Sequence, residues 1–371
     1  MPVAQAALLE AISAAPELDA PRLVYADWLE EQHDPRGELI HLQIAQARLR
    51  PRSAEFTRLQ RRIDTLWAAG QHRWAPKVAS LDPGHFCEWS FTRGFATAVH
   101  TVPAAFVDAM DAFFAAAPLL EEVQLDCGRL GPLALEPMGW LERMFAVPAF
   151  GRVRTLRLQS LNDAGAVVLC GLARVNALRQ LELARTNLGV ATYQVLGSRH
   201  SSLRSLGRLE LRMANARDVS LEQLFALPWP RLQGLRVANE VVGERGMRAI
   251  TEGGKLPVLT QLDLSWSVTG GTRSMQALAA CRTLPALAEL DLSHCEVSDA
   301  MCEALAQAEG FSLQVLRLAH SGVGPRGVRS LLDSKLGSRL ELLDLTGCPL
   351  DGPTRALLAD RLGERALLTT A

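Results

Sequence analysis

The sequence predicts an α/β solenoid, with parallel strands along its concave side and helices along its convex side, preceded by a small α-helical domain and a capping β-hairpin. Three observations carry this. A motif of the form LxxLxLxx, followed by a small or polar residue, one further residue and usually an aliphatic, recurs nine times. Its first aliphatic is Leu120, Val153, Leu178, Leu206, Leu232, Leu259, Leu287, Leu313 and Leu340, in steps of 33, 25, 28, 26, 27, 28, 26 and 27. Between copies, apolar residues fall three and four apart, the period of a helix. The first 82 residues lack the motif. Residues 1–82 are therefore expected to form the helical domain, 83–118 the hairpin and helix that cap the array, and 119–371 about nine repeats.

In the N-terminal part, Leu8, Leu9 and Ile12 are spaced as one helical stripe, and Leu23, Val24, Trp28 and Leu29 as another. Asp27 and Arg36 beside them are expected to tie helix ends by a salt bridge or cap, because aromatic neighbours such as Trp28 favour structural polar partners. From Arg48 to Arg73 seven Arg face only Glu55 and Asp64. Their alternation with Leu59, Ile63, Leu66 and Trp67 fits an amphipathic helix with a solvated basic face better than a nucleic-acid contact. Between His85 and Thr101, FCEWSFTRGFATAVHT shows two period-two runs about a TRG turn, a hairpin. It is expected to cap the first repeat, whose apolar face would otherwise meet water, with a helix over Pro103 to Ala117 beginning the stack.

The clearest copies of the motif are LAELDLSHCEV, Leu287 to Val297, and LELLDLTGCPL, Leu340 to Leu350. Cys295 and Cys348 stand there where the chain turns inward and a small polar group must serve the turn's backbone, so they are read as structural and not as nucleophiles. SDAMCEALAQA from Ser298 and GPRGVRSLLDS from Gly324 place apolar residues at helical spacing behind a cap or an N-terminal Pro. A helix is wider than the strand spacing, so stacking such units curves the array. Local irregularity is expected at VRTLRLQSLND, where Leu161 takes the polar position, and at LTQLDLSWSVT, where Val268 arrives one residue early. LLADRLGERALLTTA is expected to be a closing helix with Leu357, Leu358 and Leu362 inward.

A repeat of about 27 residues with a full helix resembles the ribonuclease-inhibitor-like class of leucine-rich repeats from Leu120 to the C-terminus. That resemblance implies a right-handed solenoid and a surface that binds protein partners. RLVYADWLEE, Arg22 to Glu31, and DPRGELIHLQ, Asp34 to Gln43, resemble the repeat-companion domain, a bacterial family found beside repeat arrays. It implies no established activity.

Composition narrows the function classes. Thirty-nine Lys and Arg against forty Asp and Glu leave a net charge of −1, too little field to steer a polyanion, so no nucleic acid is expected. The seven Cys are scattered without CxxC pairs, which argues against a disulfide framework or zinc site and fits a reducing cytoplasm. The N-terminus makes a poor secretory signal, and no apolar run reaches membrane-spanning length. Nucleophile-elbow, P-loop, zincin and dinucleotide motifs are absent, so no enzyme, metal or cofactor is expected.

Strand alternation exposes the residues between the leucines, giving a concave middle row of Gln124, Arg157, Glu182, Glu210, Arg236, Asp263, Asp291, Arg317 and Asp344. Two residues past the last strand aliphatic of three successive repeats stand Trp266, His294 and His320. An exposed Trp beside two imidazoles, with Asp263, Asp291, Arg317, Asp344 and Arg236 around it, is the expected partner-binding site, an anchor with a polar rim. The bland alternative is that the Asp residues belong to the repeat and the imidazoles cap loop carbonyls. The function expected is a non-catalytic interaction module or scaffold, monomeric, that binds a partner protein. The alternative, taken from the resemblance, is a regulator of a partner enzyme such as a small GTPase. An N-terminal effector built on Asp27, Glu30, Glu31 and His33 ranks last.

Overall fold

The computed structural model describes residues 3–49, 53–78, 86–129, 139–172, 175 and 177–368. The chain divides into two compact units, residues 1–132 with 147–153, and residues 133–146 with 154–371.

The first unit opens with four helices, α1 (Val3–Ala14), α2 (Ala20–Glu31), α3 (Arg36–Gln46) and α4 (Ala54–Trp74). A Pro sits in the first turn of α2, where its missing N–H costs nothing, and the Ser53 side chain accepts from the Phe56 N–H to cap α4. Ile12, Tyr25, Ala26, Leu29, Ile40 and Ile44 meet in one core, Leu39, Ile63, Leu66 and Trp74 in a second. Val24 departs from its expected stripe: it is exposed, because the buried face of α2 passes through Arg22, Tyr25, Ala26 and Leu29. Asp27 and Arg36 do not pair with each other. His41 Nε2 lies 3.1 Å from Asp27 Oδ1, while Arg36 Nε donates to the Gly94 carbonyl. The basic face of α4 is partly neutralised, with Arg62 on Glu38 at 2.6 Å and Arg73 on Asp34 at 2.8 Å.

The hairpin pairs β1 (Cys87–Thr92) antiparallel with β2 (Phe95–Thr101), with a register shift between Ser90 and Phe91. Arg93 at φ 52° and Gly94 at φ 80° make the turn, and a Cβ on Gly94 would run into Ile40. Strand β2 continues parallel into β3 (Glu122–Asp126). The single helix expected over Pro103 to Ala117 is two, α5 (Pro103–Asp108) and α6 (Met110–Ala116), broken at Ala109, and Phe106 meets Phe113 at 5.1 Å.

The second unit holds the strands and helices of the repeats after the first. Strands β4 (Thr155–Gln159), β5 (Gln180–Ala184), β6 (Arg208–Arg212), β7 (Gly234–Ala238), β9 (Gln261–Asp263), β11 (Glu289–Asp291), β12 (Val315–Arg317), β13 (Leu342–Asp344) and β14 (Ala366–Leu367) form one parallel sheet in that order. Each strand from β3 to β13 in this sequence starts two residues after the first aliphatic of a motif copy. α7 (Gly139–Ala146) precedes β4, and between the strands run α8 (Asp163–Gly171), α9 (Val190–Leu196), α10 (Asp218–Leu224), α11 (Glu244–Thr251), α12 (Thr272–Ala279), α13 (Asp299–Ala306), α14 (Pro325–Leu332) and α15 (Gly352–Leu362), successive helices packing on one another. The motif leucines fill the space between sheet and helices. Leu262, Leu264, Leu290, Leu292, Leu316, Leu318, Leu343 and Leu345 are at most 1% exposed, and each such burial stabilises by about 1.5–3 kcal/mol.

The two irregularities resolve differently. At Leu161 the strand runs without interruption, β4 pairing β5 over five residues, and the leucine joins the core. At the second site β10 (Val268–Thr269) adds a short parallel ladder with β8 (Val241–Val242), outside the main sheet. Val268, one residue early, points outward and stays exposed. The expected closing helix ends at Leu362, where Gly363 at φ 55° turns the chain into β14, a strand not anticipated from sequence.

Candidate binding face on the repeat array

A column of left-handed residues runs along the array two positions past the last strand aliphatic. Ser160 (φ 57°), Arg185 (53°), Met213 (52°), Asn239 (58°), Trp266 (61°), His294 (58°), His320 (54°) and Gly347 (75°) occupy it in eight consecutive repeats. Each reversal costs a non-glycine residue about 1–2 kcal/mol. It aims the main-chain N–H at the next repeat. Ser160 donates to Ala184 O at 2.9 Å, Arg185 to Arg212 O at 2.8 Å, Met213 to Ala238 O at 3.3 Å and Asn239 to Ser265 O at 3.1 Å. Trp266 continues to Ser293 O at 2.9 Å, His294 to Ala319 O at 2.7 Å and His320 to Thr346 O at 2.6 Å.

Because the column fixes backbone and spacing together, neighbouring side chains stack. The Trp266 indole lies 3.7 Å from the His294 ring at 8°, and His294 lies 4.6 Å from His320 at 18°. A Cβ on Gly347 would collide with the His320 ring, so the stack ends over that glycine. Trp266 is 58% exposed. A large aromatic left in water shares one recess with exposed Val241 and Val268 and gives that edge an apolar character. Trp266, Val241 and Val268 line a cavity of about 280 Å³ with Asn215, Asn239 and Arg217; His294 and His320 line another of about 330 Å³.

The acidic residues expected in the site serve the turns. Asp263, Asp291 and Asp344 each accept on Oδ1 from a main-chain N–H two residues on, of Ser265 (2.9 Å), Ser293 (2.8 Å) and Thr346 (3.0 Å). The carbonyls of those three residues receive the column's N–H groups, so the carboxylates shape what the stack rests on. The basic residues turn along the sheet. Arg236 Nε is 3.2 Å from Asp263 Oδ2, and Arg317 pairs with Glu289 at 3.4 Å instead of with Asp291, its register neighbour. Further along, nearly buried Glu182 holds Arg157 at 3.0 Å and Arg212 at 2.5 Å, and Glu210 holds Arg208 at 2.8 Å. The middle row is thus an ion ladder largely closed on itself, and the aromatic column at its edge carries the unspent surface.

One further ladder escaped the sequence reading. The first residue of one helix accepts from the glycine N–H that opens the next: Asp163 from Gly189 at 2.9 Å, Asp218 from Gly243 at 2.6 Å and Asp299 from Gly324 at 2.7 Å. A D…G pair one repeat apart was its signal. Glu240, buried at the column's edge, accepts from the N–H groups of Ala214 and Ala216; burial pushes its carboxyl up from the ordinary value while those two donors pull it back. Cys295 and Cys348 donate across repeats to the carbonyls of Leu264 and Leu318, both at 3.1 Å, and burial raises the Cys295 thiol to about 11.

Among the described residues no group of three or more His, Cys, Asp or Glu is placed to hold a metal, and no helix is long and apolar enough to cross a membrane. No curated protein matches the sequence. Among solved structures, similarity extends to a Bacteroides fragilis protein (12% identity, 64% of this chain and 70% of that one, TM-score 0.45). It extends also to an internalin of Listeria monocytogenes (14%, 70% and 69%, 0.41) and to the Rad7 and Elc1 complex of yeast (13%, 67% and 75%, 0.35). Residues 285–306 match the leucine-rich repeat model. That match covers β11 and all of α13, one strand-turn-helix unit of the nine whose motif recurs along the chain, and this unit is thus similar to a leucine-rich repeat.

Proposed function

We propose that the chain is a non-catalytic interaction module whose repeats, wound as a right-handed solenoid, bind a partner protein along the concave strand side. The anchor is the stack of Trp266, His294 and His320. Arg236 and Arg317 supply the polar rim, while Asp263, Asp291 and Asp344 hold the turns that present it. Residues 1–82 are the repeat-companion domain, 83–118 the hairpin and helix segment, and 119–371 the repeat array of a cytoplasmic monomer. The observation that carries this reading is the exposed indole held flat on an imidazole by a backbone ladder. A rigid, half-exposed aromatic loses little entropy on binding and offers much apolar area.

The test is a comparative capture between the intact chain and a Trp266→Ala, His320→Ala variant of unchanged thermal unfolding, followed by titration of the purified partner. Binding lost by the variant alone supports the site. Equal affinity of both forms contradicts it.

A further inference from the structure

The first unit encloses a cavity of about 240 Å³ walled by Ile12, Tyr25, Trp74, Phe95, Ala116 and Leu119, with one cation, Arg36, at its lining. Arg36 is held from below: its guanidinium carbon lies 5.0 Å from the centre of the Phe95 ring, and Nε donates to the Gly94 carbonyl at 3.0 Å. Its two terminal amino groups make no hydrogen bond or ion pair with any described residue. Asp34, the acid that acts on its charge, is already spent, Oδ1 on the Arg36 main-chain N–H at 3.0 Å and Oδ2 on Arg73 at 2.8 Å. Burial lowers the Arg36 pKa, the mark of a desolvated cation whose compensation is incomplete. Two more donors stand in the same walls. Tyr25 Oη accepts from Gln5 Nε2 at 3.2 Å, leaving its own proton to give, and the nearly buried Trp74 indole N–H has no acceptor.

A guanidinium offered through its terminal fork, in a chamber walled mostly by aromatic and aliphatic side chains with Gln5 and Ser13 as its polar neighbours, fits one planar anion. A phosphate would need a second cation, and Arg22, the other guanidinium over Phe95, spends Nη1 on the carbonyls of Pro16 and Leu18. We propose that this cavity binds a small monocarboxylic acid with an apolar body, the carboxylate on the fork of Arg36 and the body against Tyr25, Trp74 and Phe95. The ligand gives a half-buried cation, whose fork has no partner among the described residues, a carboxylate to pair with, and covers the apolar walls of the cavity.

The test is calorimetric titration of the full chain with phenylacetate near neutral pH, beside phenylacetamide, which has the same shape and no charge. Saturable phenylacetate binding is expected, weakened at least about tenfold for the amide and for Arg36→Gln. Arg36→Gln also loses the bond to Gly94, so Ala116→Phe, which fills the chamber from the opposite element without touching Arg36, gives an independent arm with the same expected loss. No saturable binding by the intact chain below about 10 mM, equal binding of the amide, or undiminished binding by a folded Ala116→Phe variant would overturn the proposal.

Discussion

The indole of Trp266 and the imidazole of His294 lie 3.7 Å apart and within 8° of parallel, on adjacent repeats. Both residues are in the left-handed region, at φ 61° and 58°, and the Trp266 N–H bonds the Ser293 carbonyl immediately before His294. Side-chain stacking and main-chain ladder are thus two results of one backbone reversal.

That reversal has a stability cost which glycine would remove. Met213 sits in the column at φ 52° with its side chain exposed. Met213→Gly is expected to stabilise by up to about 1 kcal/mol, the relief of left-handed strain less glycine's unfolded-state entropy. Met213→Val, β-branched, is expected to destabilise. Denaturant midpoints of the two variants check the pair of signs.

The helix-opening ladder makes a second prediction. Asp299→Ala leaves the Gly324 N–H without its carboxylate and is expected to cost about 1 kcal/mol. Gly243→Ala is expected to cost at least as much, because a Cβ there would lie 2.5 Å from Asp218 Oδ2, while Gly171→Ala meets nothing within 4 Å and is expected to be silent or stabilising. Thermal unfolding of the three variants reads the order.

On the strand face, Glu182 serves both Arg157 and Arg212. Glu182→Ala removes the carboxylate that Arg157 and Arg212 share and is expected to cost about 2 kcal/mol, below the figure for a fully buried pair because both arginines are more than a third exposed. Arg157→Leu, which leaves Arg212 in place, is expected to cost less. Urea unfolding compares them.

Glu240 gives a pH dependence. Its folded pKa is raised, by burial first, so above the ordinary value of 4.5 the folded state holds the proton longer than the unfolded one. Stability contributed by the protonated form is then lost as pH rises from 4.5 through the folded pKa. Against Glu240→Gln, which does not titrate, the native chain is expected to lose relative stability with rising pH over that window. A relative gain would mean that the Ala214 and Ala216 donors outweigh desolvation.

Much of this was legible in the sequence, for a physical reason. The leucines at fixed offsets must face one core, so strand starts from Glu122 to Leu342 follow from counting. The column of Trp266, His294 and His320 was readable as an address two residues past each strand. Its left-handed backbone was not, since Trp has no preference for it and the enrichment of His, Asn and Gly there is too weak to fix the backbone at a single position. That Asp263, Asp291 and Asp344 hold the turns was present only as the alternative that they belong to the repeat, because an Asx turn and an exposed acid share one residue type. Strand β14 was hidden behind a helical leucine pattern that Gly363 ends. Arg36 was seen as structural, which its bond to Gly94 is, but a cavity formed by segments from Gln5 to Leu119 has no local signature.

The most direct measurement of the central claim is site-specific photocrosslinking. A photoreactive phenylalanine is placed in turn at position 266, at position 320 and at Arg273 on the helical side, and each chain is presented to the captured partner. Crosslinks from 266 and 320 with none from 273 are the expected result. Equal crosslinking from all three, or crosslinks from 273 alone, would contradict a binding site built on the Trp266 stack.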